Sequence, residues 1–472
     1  MIPSFHTTYT QLPDILYRPS ESMPVQHPSF IVTNADLAPS IGVDVNWLTS
    51  EGALQILSGN ARWPGIPAIA MAYSGHQFGH FSPSLGDGRA VLIGEVVGPD
   101  GVRRDLHLKG SGRTPFSRGG DGRATLGAML REYIVSEAMA GLGIPTTRCL
   151  AVVATGEMVP RERLEQGAVL TRVARSHVRV GTFQYLSVRG ETAAMQALVD
   201  HEIARNFSGA PSGPDRFIWF LDQVIARQSH LIAQWMAVGF IHGVMNTDNM
   251  SVCGETIDYG PCAFMDQFNP HKTFSSIDQN GRYAWDRQPV IALWNLTRLA
   301  EAMLPLFNVD RTMAITMAES SLHKFMPAFE TAFENMMARK LGLQHCSEDF
   351  VTLTLQAMAD GNADFTLFFS TLTMGGEMHS FFKNPDAHDT WKARWQSEGE
   401  PDQTLMKTCN PVFIARNHRV EQCIVAANAG DLKPFHRLLN VLKQPYSVHP
   451  EAAELAHAPH IGEEIMQTFC GT

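Results

Sequence analysis

The sequence predicts an α+β protein in two lobes, a β-rich one carrying a single helix and then a mostly helical one with a helical extension. Three observations predict it. Residues 89–109 alternate apolar and polar positions around a Pro-Asp-Gly turn, as paired strands do. Beyond about residue 288, apolar residues recur at helical spacing almost without interruption. Between these, residues 241–266 break into polar corners that concentrate Asn246, Asp248, Asn249 and Asp258 between apolar flanks. A chain of 472 residues is too long for one small core. Four segments are expected: a lead-in over 1–65, the β-rich lobe over 66–210, the helical lobe over 211–380 and the extension over 381–472.

Residues 1–65, rich in Pro, Ser and Asn, read as a lead-in that wraps the next unit. Residues 89–97 (RAVLIGEVV) form a strand, and 105–109 (DLHLK) return as a second strand ending on Lys109. Gly-Asp-Gly-Arg occurs at 86–89 and again at 120–123, one copy on each side of the Lys strand. One copy alone is most often a plain tight turn. Two copies around a Lys suit loops whose backbone N–H groups approach phosphate. His76 and His80 have metal-compatible spacing, but no Glu lies between them and the flanking glycines argue against a helix.

Residues 125–142 form the helix of this lobe. Two of its residues, Glu132 and Glu137, are candidates to face Lys109. At about 100° per residue Glu137 lies mid-stripe and Glu132 at the edge, so periodicity favours Glu137. Strands resume at 149–155 and 168–174, followed by a cluster of Arg172, Arg175, His177 and Arg179. Guanidinium forks suit phosphate, and the interleaved valines argue against a wholly solvated charge run. Residues 201–205 (HEIAR) lack the second His of a metalloprotease helix and read as surface helix. An amphipathic helix over 216–238 then leads into the polar stretch, and the charged passage 382–403 reads as a surface connection.

Hard oxygen donors grouped as in 241–266 suit Mg²⁺, which takes one or two carboxylates plus phosphate oxygens. His-Gly, then an Asn seven residues after His242, then Asp-aromatic-Gly, is the grammar of a kinase catalytic loop and metal corner. The Asp expected two residues after His242 is Val244, and the loop's carboxylate stands instead at Asp248. The order of units is that of a protein-kinase-like two-lobed fold.

Composition narrows the function. A net charge of −10 argues against nucleic acid as the main partner, since phosphate neutralisation needs Lys and Arg in excess. The seven cysteines are scattered, without a CxxC pair, as in a reducing compartment. The first residues show no signal or transit pattern and no apolar run approaches a membrane span. A cytoplasmic protein without a membrane partner is expected.

The motifs SGHQFGHFSPSLGDGRAVLIGE, LHLKGSGRTPFSRGGDGRA, REYIVSEAMAGLGIPTTR, RSHVRVGTFQ, HGVMNTDNMS with IDYGPCAFMD, and NPVFIARNHRVEQ make the chain resemble, over nearly its whole length, the selenoprotein-O (YdiU) family of protein adenylyltransferases. The resemblance implies that ATP sits reversed relative to ordinary kinases, and that AMP is transferred to Ser, Thr or Tyr hydroxyls of proteins. It implies nucleotide contacts from Gly86, Gly88, Arg89, Lys109, Asp121, Gly122, Arg172, Arg179 and Asp258. It puts Mg²⁺, with Mn²⁺ as alternative, on Asn249 and Asp258, the proton acceptor at Asp248 and the Lys109 partner at Glu132, against the periodicity. Arg175 departs from the Pro common in the family, an extra charge expected to alter phosphate or acceptor contacts. Cys470 matches the family's terminal Cys or selenocysteine, but Phe274 occupies the usual partner position, with Cys262 nearby, so no regulatory disulfide is expected. The alternatives are a kinase transferring the γ-phosphoryl group and a catalytically dead nucleotide-binding pseudokinase, the latter suggested by Val244.

Overall fold

A computed structural model describes residues 4–469. The β-rich lobe is one antiparallel sheet. Its strands are β1 (Tyr17–Pro19), β2 (Ser29–Thr33), β3 (Ile69–Met71), β6 (Ala90–Val97), β7 (Arg103–Lys109), β8 (Arg148–Pro160) and β9 (Leu164–Ala174). They lie in the order β1-β3-β6-β7-β9-β8-β2. A separate hairpin, β4 (Gly75–Gln77) with β5 (His80–Ser82), carries His76 and His80. Residues 1–65 therefore do more than wrap the lobe. They supply both edge strands, β1 on β3 and β2 on β8, which covers edges that would otherwise be open to pairing.

Alternation along β7 decides what faces what. Leu106 and Leu108 join Val91, Ile93, Val153 and Val169 in a core that the lead-in closes with Phe5, Leu37, Trp47 and Leu57. Side chains of a strand alternate between faces, so Asp105, His107 and Lys109 point to the other side. Register then sets His107 opposite Arg172 on β9. That second face is covered by the helix Leu126–Gly141, whose Met129, Leu130, Tyr133 and Ile134 merge into the core of the helical lobe.

The helical lobe is built on Asp215–Ala237, which buries Phe220, Leu221, Val224 and Ile232. It feeds the short strand β10 (Phe240–Ile241), paired with β11 (Ala263–Phe264), and these two strands hold the ends of the polar stretch together. Among the described residues, one segment, Trp285–Phe307, is long and apolar enough by length and composition to cross a membrane, and 56% of its apolar window is buried within the protein.

Two local expectations are corrected. Residues 201–205 belong to the helix Thr192–Asn206, but Glu202 is fully buried and accepts from Ser176 Oγ at 2.9 Å and Asn206 Nδ2 at 3.1 Å. Hydrogen-bonded partners from outside the pentapeptide make that burial tolerable. The passage 382–403 is no bare connection, since Pro385–Glu398 is a helix whose buried Trp391 donates to Thr354 Oγ1 at 3.0 Å. Its inward face is Ala387, His388, Trp391 and Trp395, and the surrounding charges hide it in the sequence.

The extension also returns to the first lobe. Helix Asn417–Asn428 docks on Leu126–Gly141, where Arg131 donates to Asn417 Oδ1 at 2.9 Å and pairs with Glu421. Just before it, Arg416 bonds Asp364 at 2.8 Å and pairs with Asp266 at the end of the polar stretch.

Candidate active site

Three cations, from two strands and the start of the helix Val180–Ser187, converge on one carboxylate. Lys109 Nζ, at the end of β7, donates to Asp258 Oδ1 at 2.9 Å. Arg172 Nη1, on β9, donates to the same oxygen at 2.7 Å, and Arg179 Nη1, just beyond β9, donates to Asp258 Oδ2 at 2.8 Å. Burial alone would raise the Asp258 carboxyl, but Arg172, Lys109 and Arg179 hold it well below the usual range. Asp258 has φ of 65°, a left-handed conformation uncommon for a residue with a Cβ. Its ion pairs keep it there.

Glu132 completes the cluster, accepting from Lys109 Nζ at 2.5 Å and from Arg172 Nη1 at 3.3 Å. Glu137 does not take part. It accepts from Arg148 at 2.6 and 2.8 Å and from Asn34 at 2.9 Å. Periodicity misled because both Glu132 and Glu137 are 2% exposed. A helix covered by the sheet on one side and by Asn417–Asn428 on another has no single apolar stripe to read.

The loop of Asp248 lies directly beneath. Thr247–Asn249 is a short 3₁₀ turn, and Arg179 Nη1 also donates to the Asp248 carbonyl at 2.7 Å, tying loop and corner together. The Asp248 carboxylate accepts from Gln77 Nε2 at 3.2 Å through Oδ2, while Oδ1 is buried with no protein partner. Burial pushes this carboxyl up to about 6. Asn249 Nδ2 donates to the Val244 carbonyl at 2.9 Å, so the amide oxygen is the atom left for a cation. Asp258 and Asn249 offer hard oxygen donors of the kind Mg²⁺ takes.

His242 is buried, with burial holding it below its ordinary pKa. Val244 N donates to its Nδ1 at 3.4 Å, and Nε2 therefore donates to the Ile257 carbonyl at 2.9 Å. Val244, in place of an Asp, bonds through its backbone alone, and its side chain is buried in the core.

Gly86 and Gly122 hold the two loops in close contacts. A Cβ on Gly86 would lie 2.2 Å from the Phe116 ring, and one on Gly122 would lie 2.1 Å from the Gly112 carbonyl oxygen. Gly88 sits against the Phe116 backbone, and Arg89 lines a cavity of about 870 Å³ together with Lys109, Glu132 and Tyr259. Asp121 is not part of the Asp258 cluster. It accepts from Arg161 at 2.8 Å, and Arg161 is on the wall of the same cavity. The C-terminal residues Ile465, Gln467, Thr468 and Phe469 form another wall. Thr468 anchors them, its N donating to the Phe274 carbonyl at 2.7 Å and its Oγ1 to the Pro261 carbonyl at 2.5 Å. Cys470 lies outside the described residues.

Sequence reasoning missed the residues behind the cations. His107 Nδ1 is 3.3 Å from Arg172 Nη2 and Nε2 is 2.9 Å from Asp87 Oδ2. A guanidinium only donates, so Nδ1 accepts and Nε2–H donates to Asp87. Burial opposes ionisation of Asp87, but His107 and Arg179 hold it at about 2. Asp87 of the first Gly-Asp-Gly-Arg thus braces Arg172 through His107 and stands 3.9 Å from Arg179. The readable signal was His107 two residues before Lys109, on the same strand face.

Arg175 stands apart from Arg172 and Arg179, its N donating to Glu255 Oε2 at 2.9 Å. There it lines a second cavity, about 780 Å³, which shares no residue with the first and which Arg104, Arg148 and Arg227 also line. Burial pushes Glu255 up to about 7.

Comparison with known proteins gives the family of the chain. The family described as Protein adenylyltransferase SelO matches residues 2–443. A Protein nucleotidyltransferase YdiU of Rhodopseudomonas palustris strain BisB5 is 52% identical over 99% of both chains. Proteins of that name from Bradyrhizobium diazoefficiens and Methylorubrum populi are 50% and 49% identical, again over 99% of both chains. Relatives named as transferases lend no support to a catalytically dead pseudokinase. The chain is an enzyme of the nucleotidyltransferase class and belongs to the SelO family of protein adenylyltransferases.

Proposed function

We propose that this enzyme transfers AMP from ATP to a Ser, Thr or Tyr hydroxyl of a protein and releases pyrophosphate. The observation that carries the reading is the convergence of Lys109, Arg172 and Arg179 on Asp258, beside the buried Asp248. Three cations against Glu132 and Asp258 leave net positive charge for a polyphosphate chain. In this reading Gly86, Gly88 and Arg89, with Asp121 and Gly122 of the second loop, line the nucleotide. Asn249 and Asp258 hold Mg²⁺, or alternatively Mn²⁺, and a divalent ion bound there offsets phosphate charge.

The residues then divide the work. Glu132 fixes the Lys109 ammonium, and Lys109, Arg172 and Arg179 stabilise the departing pyrophosphate. The acceptor oxygen bonds to the α-phosphorus, the bond from that phosphorus to pyrophosphate breaks, and the hydroxyl proton passes to Asp248. With its carboxyl at about 6, Asp248 is ionised at neutral pH and is a stronger base than an exposed Asp. Partners are ATP and hydroxyl-bearing proteins, without nucleic acid or membrane, in the cytoplasm.

Parallel reactions with Mg²⁺ and ATP labelled at the α or the γ phosphate test the reading. Label is expected on protein from α-labelled ATP alone. Label from γ alone would identify a phosphoryl kinase and overturn it.

A further inference from the structure

Away from the cavity, the connection after helix Phe365–Met374 and the start of helix Pro385–Glu398 bring together His379, His388 and Asp389. One ligand atom of each lies within 4.8 Å of the other two. None of the three lines either large cavity. We propose that they form a site for a zinc-class divalent cation, which clips the connection to the helix that follows.

The donor chemistry separates this site from the one at Asp258. Two imidazoles and a carboxylate suit a borderline-soft ion such as Zn²⁺, whereas the oxygen-only set at Asn249 and Asp258 suits Mg²⁺. The spacing also fits. His388 Nδ1 lies 2.9 Å from Asp389 Oδ1, and a ligand atom of His379 lies within 4.8 Å of those of both. Ligands on a tetrahedral zinc, with bonds of about 2.0–2.2 Å, stand about 3.4 Å from one another, so small side-chain rotations close the shell.

Part of the site is already rigid. The His388 side chain is 6% exposed and meets the Phe382 ring edge-on at 5.3 Å, beside buried Trp391. Glu377 Oε2 lies 3.0 Å from His379 Nδ1, the carboxylate-to-imidazole contact that commonly orients a metal-binding ring. Zinc takes the place of protons shared between ring and carboxylate, with water at the open position. This inference is independent of the transfer reaction.

The test uses the full chain, stripped with a chelator and titrated calorimetrically with Zn²⁺ alone. His379→Gln and Asp389→Asn are suitable variants, because those side chains are 54% and 72% exposed and their loss leaves the core intact. Wild type should take one zinc at micromolar concentration or tighter, and each variant should bind at least about tenfold more weakly. Asp258→Asn should keep that zinc, and zinc should raise the melting temperature of wild type but of neither ligand variant. No zinc taken up at micromolar concentration, or equal uptake by wild type and both ligand variants, would overturn the site.

Discussion

Gly75 of β4 and Asp248 meet so closely that a Cβ on Gly75 would lie 2.3 Å from Asp248 Oδ1. Gly75 carries no positive φ, so space and not backbone conformation excludes a side chain there. Gly75→Ala should therefore fold and bind ATP while turning the Asp248 carboxylate out of position. Transfer should fall by about 10²-fold or more, the range of a misplaced general base. Single-turnover rates beside ATP affinity check this, and an unchanged rate would remove Asp248 from the mechanism.

Asp258→Asn removes the charge on which three cations converge. Calorimetric titration with ATP should show that the Mg²⁺-dependent part of binding is lost, and no transfer should be measurable. Leaving Lys109, Arg172 and Arg179 without their shared partner should also cost stability, about 3–5 kcal/mol for a broken buried pair, read from urea midpoints.

His107→Ala tests the bracing of Arg172. It leaves Arg172 Nη2 and Asp87 Oδ2 each short of a buried partner, which costs about 1–3 kcal/mol of stability. The KM for ATP should rise about tenfold while kcat changes less, because His107 touches the cation and not the reacting atoms. An equal fall in kcat at constant KM would contradict a positioning role.

Glu255 gives a pH signature. Its folded pKa is about 7, above the ordinary 4.5, so the folded chain holds a proton there that the unfolded chain has lost between about pH 4.5 and 7. Stability from this group is complete below that window and is lost as pH rises through it. Glu255→Gln should be more stable than wild type at pH 8 by about 3 kcal/mol, with the difference vanishing near pH 4.5. Denaturation midpoints across that range measure it.

The sequence by itself determined the order of the lobes, the strand pair ending on Lys109 and the polar corner of Asp248, Asn249 and Asp258. These are local patterns: alternation over a few residues, a turn tripeptide, hard donors within one loop. Tertiary structure decided the rest. Lys109, Arg172 and Arg179 reach Asp258 across 149, 86 and 79 residues of chain, separations that no window of periodicity spans. The same holds for Glu132 over Glu137, chosen by which end of the sheet each faces once the helix is buried on several sides. Arg175, three residues from Arg172, lines the second cavity together with Val173 and Ala174 at the end of β9, away from the Asp258 cluster. The C-terminal wall of the nucleotide-sized cavity hangs on Thr468 and two distant carbonyls, a contact that exists only when the chain has closed on itself.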